Sequence, residues 1–189
     1  MLDGAAAGGL PAWTEAGPAR RAHMGRVAEL MSLWAGRLGL AARDCVRWRA
    51  AGMLHDALRD APHEKLRPIV ADPFRALPGS FLHGPAAAAL LVKDGLQDDE
   101  VRDAIAYHTL GDAGLGRLGR ALIAADYLEP ARTTDPIWRA TERARMPEAF
   151  DEVIRNVVAH KLSRALQREH PIRHEMIALW NSCVDATLA

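Results

Sequence analysis

The chain has little cysteine, little lysine, no excess of either charge and no long apolar run, and each shortage excludes something. Its two cysteines, Cys45 and Cys183, stand far apart with no C-x-x-C spacing. A disulfide framework or a thiolate zinc knuckle is therefore excluded, and a reducing compartment fits. Lys+Arg and Asp+Glu both number 24, for zero formal net charge and a pI near 7.1. A general nucleic-acid binder carries a basic excess, so no nucleic-acid partner is expected. No window approaches the ~20 apolar residues of a membrane span. The greasiest stretch, Ala86 to Val92, is too short, so no membrane association is expected. The first residues lack a basic stretch followed by an apolar run of signal length, and a cytoplasmic protein is expected. Lysine occurs only at positions 65, 93 and 161, and arginine supplies the remaining positive charge. In such a composition a single arginine is weak evidence for phosphate binding.

What is present is helical. At 189 residues with 49% apolar and 25% charged residues, one globular domain with a proper core is expected. Residues 1–17, rich in Ala and Gly, predict a poorly ordered or loosely docked leader, and the domain is expected over 18–189. Val27, Leu30, Met31 and Trp34 recur at helical steps and predict a helix ending near Gly39. A second helix is expected from about Ala41 to Leu58, closed by Asp60-Ala-Pro62, and a short one near 63–70. Further helices are expected near 84–94, 98–108, 115–128, 136–144, 147–168 and 172–187. Gly95, Gly111, Pro130, Pro147 and Pro171 act as stops. No run alternates with period two, so the fold class is all-α, a single helical bundle.

His55-Asp56 ends the otherwise apolar stretch Ala50-Ala51-Gly52-Met53-Leu54. A buried charged pair is costly without a partner, and a bound cation is a natural one. His23 precedes the pair; His83, His108 and Asp126 follow it, all near predicted helix ends. Asp126 likewise interrupts the apolar run Ala121 to Ala125. Ligands contributed by several packed helices are how bundles build metal sites in their cores. Imidazole and carboxylate without thiolate suit iron, manganese or zinc. His63, His160 and His170 read as ordinary surface or packed histidines.

The order H…HD…H…H…D on helices resembles the HD-domain superfamily, and within it the YqeK-type symmetrical bis(5'-nucleosyl)-tetraphosphatases. Four stretches carry the resemblance. Arg20-Arg-Ala-His23 with Arg26-Val27 is similar to the family's opening motif. Leu54-His55-Asp56-Ala57-Leu58-Arg59-Asp60 is similar to its LHD motif, with Arg59 at a usual lysine. Leu82-His83-Gly84-Pro85 is similar to its third. Ala104-Ile105-x-Tyr107-His108-Thr109-x-Gly111 and Ala125-Asp126-Tyr127-Leu128-Glu129-Pro130-x-Arg132 complete the set. The tail from Pro171-Ile172 to Trp180-Asn181 is a fainter match, with Arg173-His174 departing from the usual pair.

The resemblance implies an HD-domain bundle with a buried metal site. The implied reaction is hydrolysis of diadenosine tetraphosphate into two ADP, by attack of metal-activated hydroxide on an inner phosphate, with iron in the site. Manganese or another divalent ion is the alternative. His23, His55, Asp56 and Asp126 form a first ligand set. His83 and His108 either complete a second site with Asp56 bridging, ions about 3.5–4 Å apart, or contact phosphate beside a single ion. Asp56, Arg59 and Asp60 are the expected catalytic residues, with Asp60 orienting water or Arg59. Arg20, Arg59 and Arg132 are expected to neutralise the polyphosphate. His83, His108, Thr109 and Gly111 are expected along the phosphate path, and Ile172 and Arg173 in the tail. Tyr127 reads as packing and Glu129-Pro130 as helix termination. Three other readings stay open: an HD phosphohydrolase for another nucleotide, a non-catalytic nucleotide sensor, and a helical interaction module. The oligomeric state is open too, with a homodimer among the options.

Overall fold

A computed structural model of the chain describes residues 1–188, and side chains through residue 185. Among them are eleven α-helices and no strand. In chain order these are α1 (Leu2–Ala6), α2 (Pro18–Arg37), α3 (Ala42–Leu54), α4 (His63–Leu66), α5 (Asp72–Arg75), α6 (His83–Lys93), α7 (Asp99–Tyr107), α8 (Arg117–Tyr127), α9 (Pro136–Arg145), α10 (Phe150–Gln167) and α11 (His174–Leu188). No helix is long and apolar enough to cross a membrane among the described residues.

Helix α3 is the hub. It packs against α1, α2, α7 and α8, and α2 also reaches α8. Its crossing with α2 is unusually close because Gly52 faces Ala28. A Cβ at residue 52 would lie 2.7 Å from the Ala28 Cα, so only glycine fits. Large apolar side chains fill the remaining interior: Trp34, Met24, Met31, Leu54, Leu122 and Ile123 are fully buried. Arg47 of α3 ties the start of α7, pairing with both carboxylate oxygens of Asp98 at 2.6 and 2.9 Å. Asp98 also caps α7 by accepting from Val101 N–H, satisfying an orphan donor of the first turn.

Several boundaries differ from the sequence expectation; the short helix expected near 63–70 ends at Leu66 and an unexpected one, α5, follows at Asp72–Arg75. Helix α3 stops at Leu54 rather than Leu58, and His55 to Asp60 form tight turns. The carbonyl of Gly52 accepts from the His55 ring, and the chain leaves the helix axis there. Residues 1–17, expected to be loose, carry α1, whose Ala5 is buried and whose Ala6 carbonyl accepts from Arg49 at 2.7 Å. Its alanines are small enough to seat directly on α3.

Candidate metal centre

The ends of α2, α3, α6, α7 and α8 bring the six expected ligands together. His23, His55, Asp56, His83 and His108 are all buried, and Asp126 is partly buried. Asp56 lies at the centre. Its Oδ2 is 3.6 Å from His55 Nε2 and 3.8 Å from His23 Nε2. Its Oδ1 is 3.2 Å from His83 Nε2 and 3.5 Å from His108 Nε2. Asp126 Oδ1 completes the first side, 3.1 Å from His23 Nε2 and 4.0 Å from His55 Nε2. Two groups capable of holding a cation result, His23/His55/Asp56 and Asp56/His83/His108, sharing one carboxylate.

Local structure aims the rings. His55 Nδ1 donates to Gly52 O at 2.8 Å, His83 Nδ1 to Ser80 O at 3.1 Å, and His108 Nδ1 to Ile105 O at 2.8 Å. A carbonyl only accepts, so each Nδ1 carries the ring proton and each Nε2 turns a lone pair inward. Gly84 lets α6 approach α7. A Cβ there would meet Ile105 O at 2.7 Å and the His108 ring at 3.2 Å.

The chemistry of the donor set fits a divalent cation. The Nε2 atoms of His23 and His55 are buried without a hydrogen-bond partner, a costly arrangement that ligation relieves. Burial pushes the His55 imidazole down to about 4, from an ordinary 6.5, and lowers His83. Burial opposes ionisation of Asp56, yet the surrounding imidazoles, His55 foremost, hold its carboxyl well below the ordinary range. Neutral imidazoles and an ionised carboxylate at neutral pH are the forms that bind metals.

Three carboxylates meet at this end of the bundle, each with its own arginine. Asp56 pairs with Arg20 at 2.7 Å and Asp126 with Arg132 at 2.5 Å, while Glu129 pairs with Arg26. A cleft of about 380 Å3 lined by Arg20, His23, Arg26, Asp60, Glu129 and Arg132 opens over Glu129 and the three arginines. A larger cleft of about 1110 Å3, near Met1, Arg47 and Glu100, holds none of the expected ligands. Ligand chemistry, not size, locates the site.

The remaining expected residues divide. Thr109 Oγ1 sits 3.0 Å from His108 Nε2 and 3.3 Å from His83 Nε2. Arg59 is half-buried within electrostatic reach of His83, and its side chain makes no hydrogen bond or ion pair among the described residues. Asp60 differs from its expected partner. It accepts from Gly17 N–H at 2.8 Å and lies 3.6 Å from Arg20, so it orients Arg20 and not Arg59. Gly111 also differs from the expected phosphate-lining role. It is buried at φ +80° beneath Leu179 and Met176, where it ends the α7 turn. The tail residues are not drawn in by any contact to the cluster among the described residues: Ile172 is half-buried and Arg173 pairs with Glu175. Sequence reasoning missed Glu129 and Arg26. Glu129 is 2% exposed, with Oε2 3.4 Å from His23 Nδ1; its two neighbours, Pro130 and the end of α8, made it look like a helix stop.

The bundle and its H…HD…H…H…D cluster define a family. The family model described as HD domain matches residues 20–131, more than half the chain, and the chain belongs to the HD-domain family. Relatives sharpen the likeness. The bis(5'-nucleosyl)-tetraphosphatase, symmetrical, of Bacillus subtilis (strain 168) is 33% identical over 97 residues, 47% of this chain and 51% of its own length. The match therefore spans about half of that relative. The protein of the same name from Staphylococcus aureus (strain NCTC 8325 / PS 47) is 26% identical over 148 residues, covering 75% of this chain and 73% of its own. A solved structure described as a predicted HD superfamily hydrolase involved in NAD metabolism from Clostridium acetobutylicum shares the fold. Its TM-score is 0.79 at 24% identity, covering 90% of this chain and 91% of that one.

Proposed function

We propose that the chain is a divalent-metal-dependent phosphohydrolase that splits dinucleoside tetraphosphates symmetrically, giving two ADP from diadenosine tetraphosphate. The observation that carries this is the Asp56 carboxylate, with one oxygen toward His23 and His55 and the other toward His83 and His108. The names of the bacterial relatives support the substrate. The ligands are His23, His55, Asp56 and Asp126, with His83 and His108 completing a second position across Asp56. Iron is the metal of this reading, with manganese the alternative, because imidazole and carboxylate donors suit both. A divalent ion held there supplies Lewis acidity and a water of lowered pKa.

The chain's own groups do the rest. Water adds to one inner phosphorus, the bond from that phosphorus to the oxygen it shares with the other inner phosphorus breaks, a proton of the water is released, and both halves leave as nucleoside diphosphates. Positioning and charge neutralisation dominate such transfers. Arg20 and Arg132 stand at the rim as paired guanidinium groups able to turn toward phosphate oxygens. Arg59 is a cation whose side chain has no partner among the described residues, within electrostatic reach of His83. Asp60 holds Arg20 and the backbone of Gly17, fixing the cleft wall. Thr109 offers a hydroxyl between the two imidazoles of α6 and α7.

The test is metal analysis of anaerobically purified protein with product identification from diadenosine tetraphosphate. ADP as sole nucleotide product, abolished by Asp56→Ala, is the expected result. AMP plus ATP overturns symmetrical cleavage. Stoichiometric metal without turnover overturns the enzymatic reading in favour of a sensor.

A further inference from the structure

We propose that Glu129 is a positioning residue that fixes the tautomer and aim of His23, with Arg26 holding Glu129 in place. The proposal rests on the reading of His23 as a metal ligand, and it concerns metal binding rather than substrate.

The four histidines of the cluster solve one problem in two ways. His55, His83 and His108 lie at helix ends or turns, where the carbonyl three residues back is within reach of Nδ1. His23 lies inside α2, where the preceding carbonyls accept from helix N–H groups. Its Nδ1 needs an acceptor from elsewhere. Glu129, just beyond α8, supplies one, with Oε2 3.4 Å from His23 Nδ1. Three residues earlier on the same segment, Asp126 Oδ1 is 3.1 Å from His23 Nε2. One stretch of chain thus places a carboxylate near each ring nitrogen. A carboxylate on the Nδ1 side puts the proton there and leaves the Nε2 lone pair toward Asp126 and Asp56. It also makes the ring a stronger donor than a carbonyl would.

A carboxylate this buried needs its own partners. Arg26 donates from Nε to Glu129 Oε1, and Ala131 N–H donates to the same oxygen at 2.9 Å. His23 and Arg26 are three residues apart on α2 and so share a face. Glu129 therefore bridges two side chains of one helix, and α2 cannot rotate without losing both.

The experiment measures Mn2+ binding to the full chain and its Glu129→Gln and Glu129→Asp variants, with the melting temperature of each metal-free form. Glu129→Gln keeps the shape and removes the charge. We expect its Mn2+ affinity to fall about 10–100-fold, as for other groups supporting a ligand, with Glu129→Asp recovering part of the loss. A merely structural role would lower the melting temperature and leave affinity at the wild-type level, and that result overturns the proposal. Nitrogen-15 histidine NMR of the metal-free wild type gives a readout independent of any variant. His23 protonated on Nδ1 is expected, and protonation on Nε2 overturns the proposal. Failure of the wild type itself to bind Mn2+ overturns the metal reading as well, whereas loss confined to Glu129→Gln leaves the substrate reading untouched.

Discussion

His83 Nε2 and His108 Nε2 face each other at 3.1 Å while both Nδ1 atoms donate to backbone carbonyls. Two lone pairs at that separation repel, and Asp56 Oδ1 adds a third acceptor within 3.5 Å. The Thr109 hydroxyl has a single proton to offer. The arrangement is stable only around something electron-poor, and His23 and His55, whose buried Nε2 atoms lack hydrogen-bond partners near Asp56 Oδ2, have the same need.

Asp56→Asn tests that shared carboxylate. The amide keeps the volume and loses the charge that faces both imidazole pairs. Metal affinity and hydrolysis should both fall by more than about a hundredfold, beyond the usual cost of losing an outer supporting group. Equilibrium dialysis and a product assay check it.

Arg59→Ala should act on substrate alone. The Arg59 side chain has no hydrogen bond or ion pair among the described residues, so its removal leaves the fold intact. A lost charge-assisted contact is worth about 1.5–3 kcal/mol. KM for diadenosine tetraphosphate should rise roughly 10- to 100-fold with the melting temperature unchanged. An unchanged KM would remove Arg59 from the phosphate path.

Gly52→Ala tests how packing places the site. The added methyl would lie 2.7 Å from Ala28 Cα, forcing α2 and α3 apart. Overpacking of this kind costs about 1–3 kcal/mol. Because His23 and His55 ride on these helices, metal affinity should fall together with the melting temperature.

Acid stability of the metal-free chain follows from His55. Its folded imidazole titrates near 4 against an ordinary 6.5, so the unfolded chain binds the extra proton first. Stability is full above pH 6.5, falls as pH drops toward 4, and the loss reaches up to about 3 kcal/mol. Denaturant unfolding at pH 7 and pH 4.5 measures it. His55→Asn, which cannot titrate, should reduce the dependence, leaving the part that comes from buried His83.

Among the candidate ligands, His55, Asp56 and Asp126 were legible because they interrupt apolar runs with groups that burial penalises, and His23, His83 and His108 through their places near helix ends in the H…HD…H…H…D order. The all-helical pattern was legible from periodicity and from Gly and Pro stops. What surrounds the ligands was not. Gly52 and Gly84 sit among alanines and look like weak helix formers until the crossing helix is known. Glu129 precedes a proline and looks like a terminus until His23 and Arg26 arrive from a residue separation of about a hundred. Gly111 and Asp60 lie in the right motifs, yet their neighbours, Met176 for one and Gly17 for the other, come from segments no local pattern connects to them. The end of α3 at Leu54 depended on a ring-to-carbonyl bond rather than on a breaker residue.

Anomalous diffraction from crystals of the chain soaked in Mn2+ is the most direct measurement. A manganese peak bonded to Asp56 at about 2.2 Å, with His23, His55 and Asp126 as its other protein ligands, is the expected result. A map with no peak in bonding range of Asp56, at Mn2+ concentrations that saturate the protein in solution, would contradict the account.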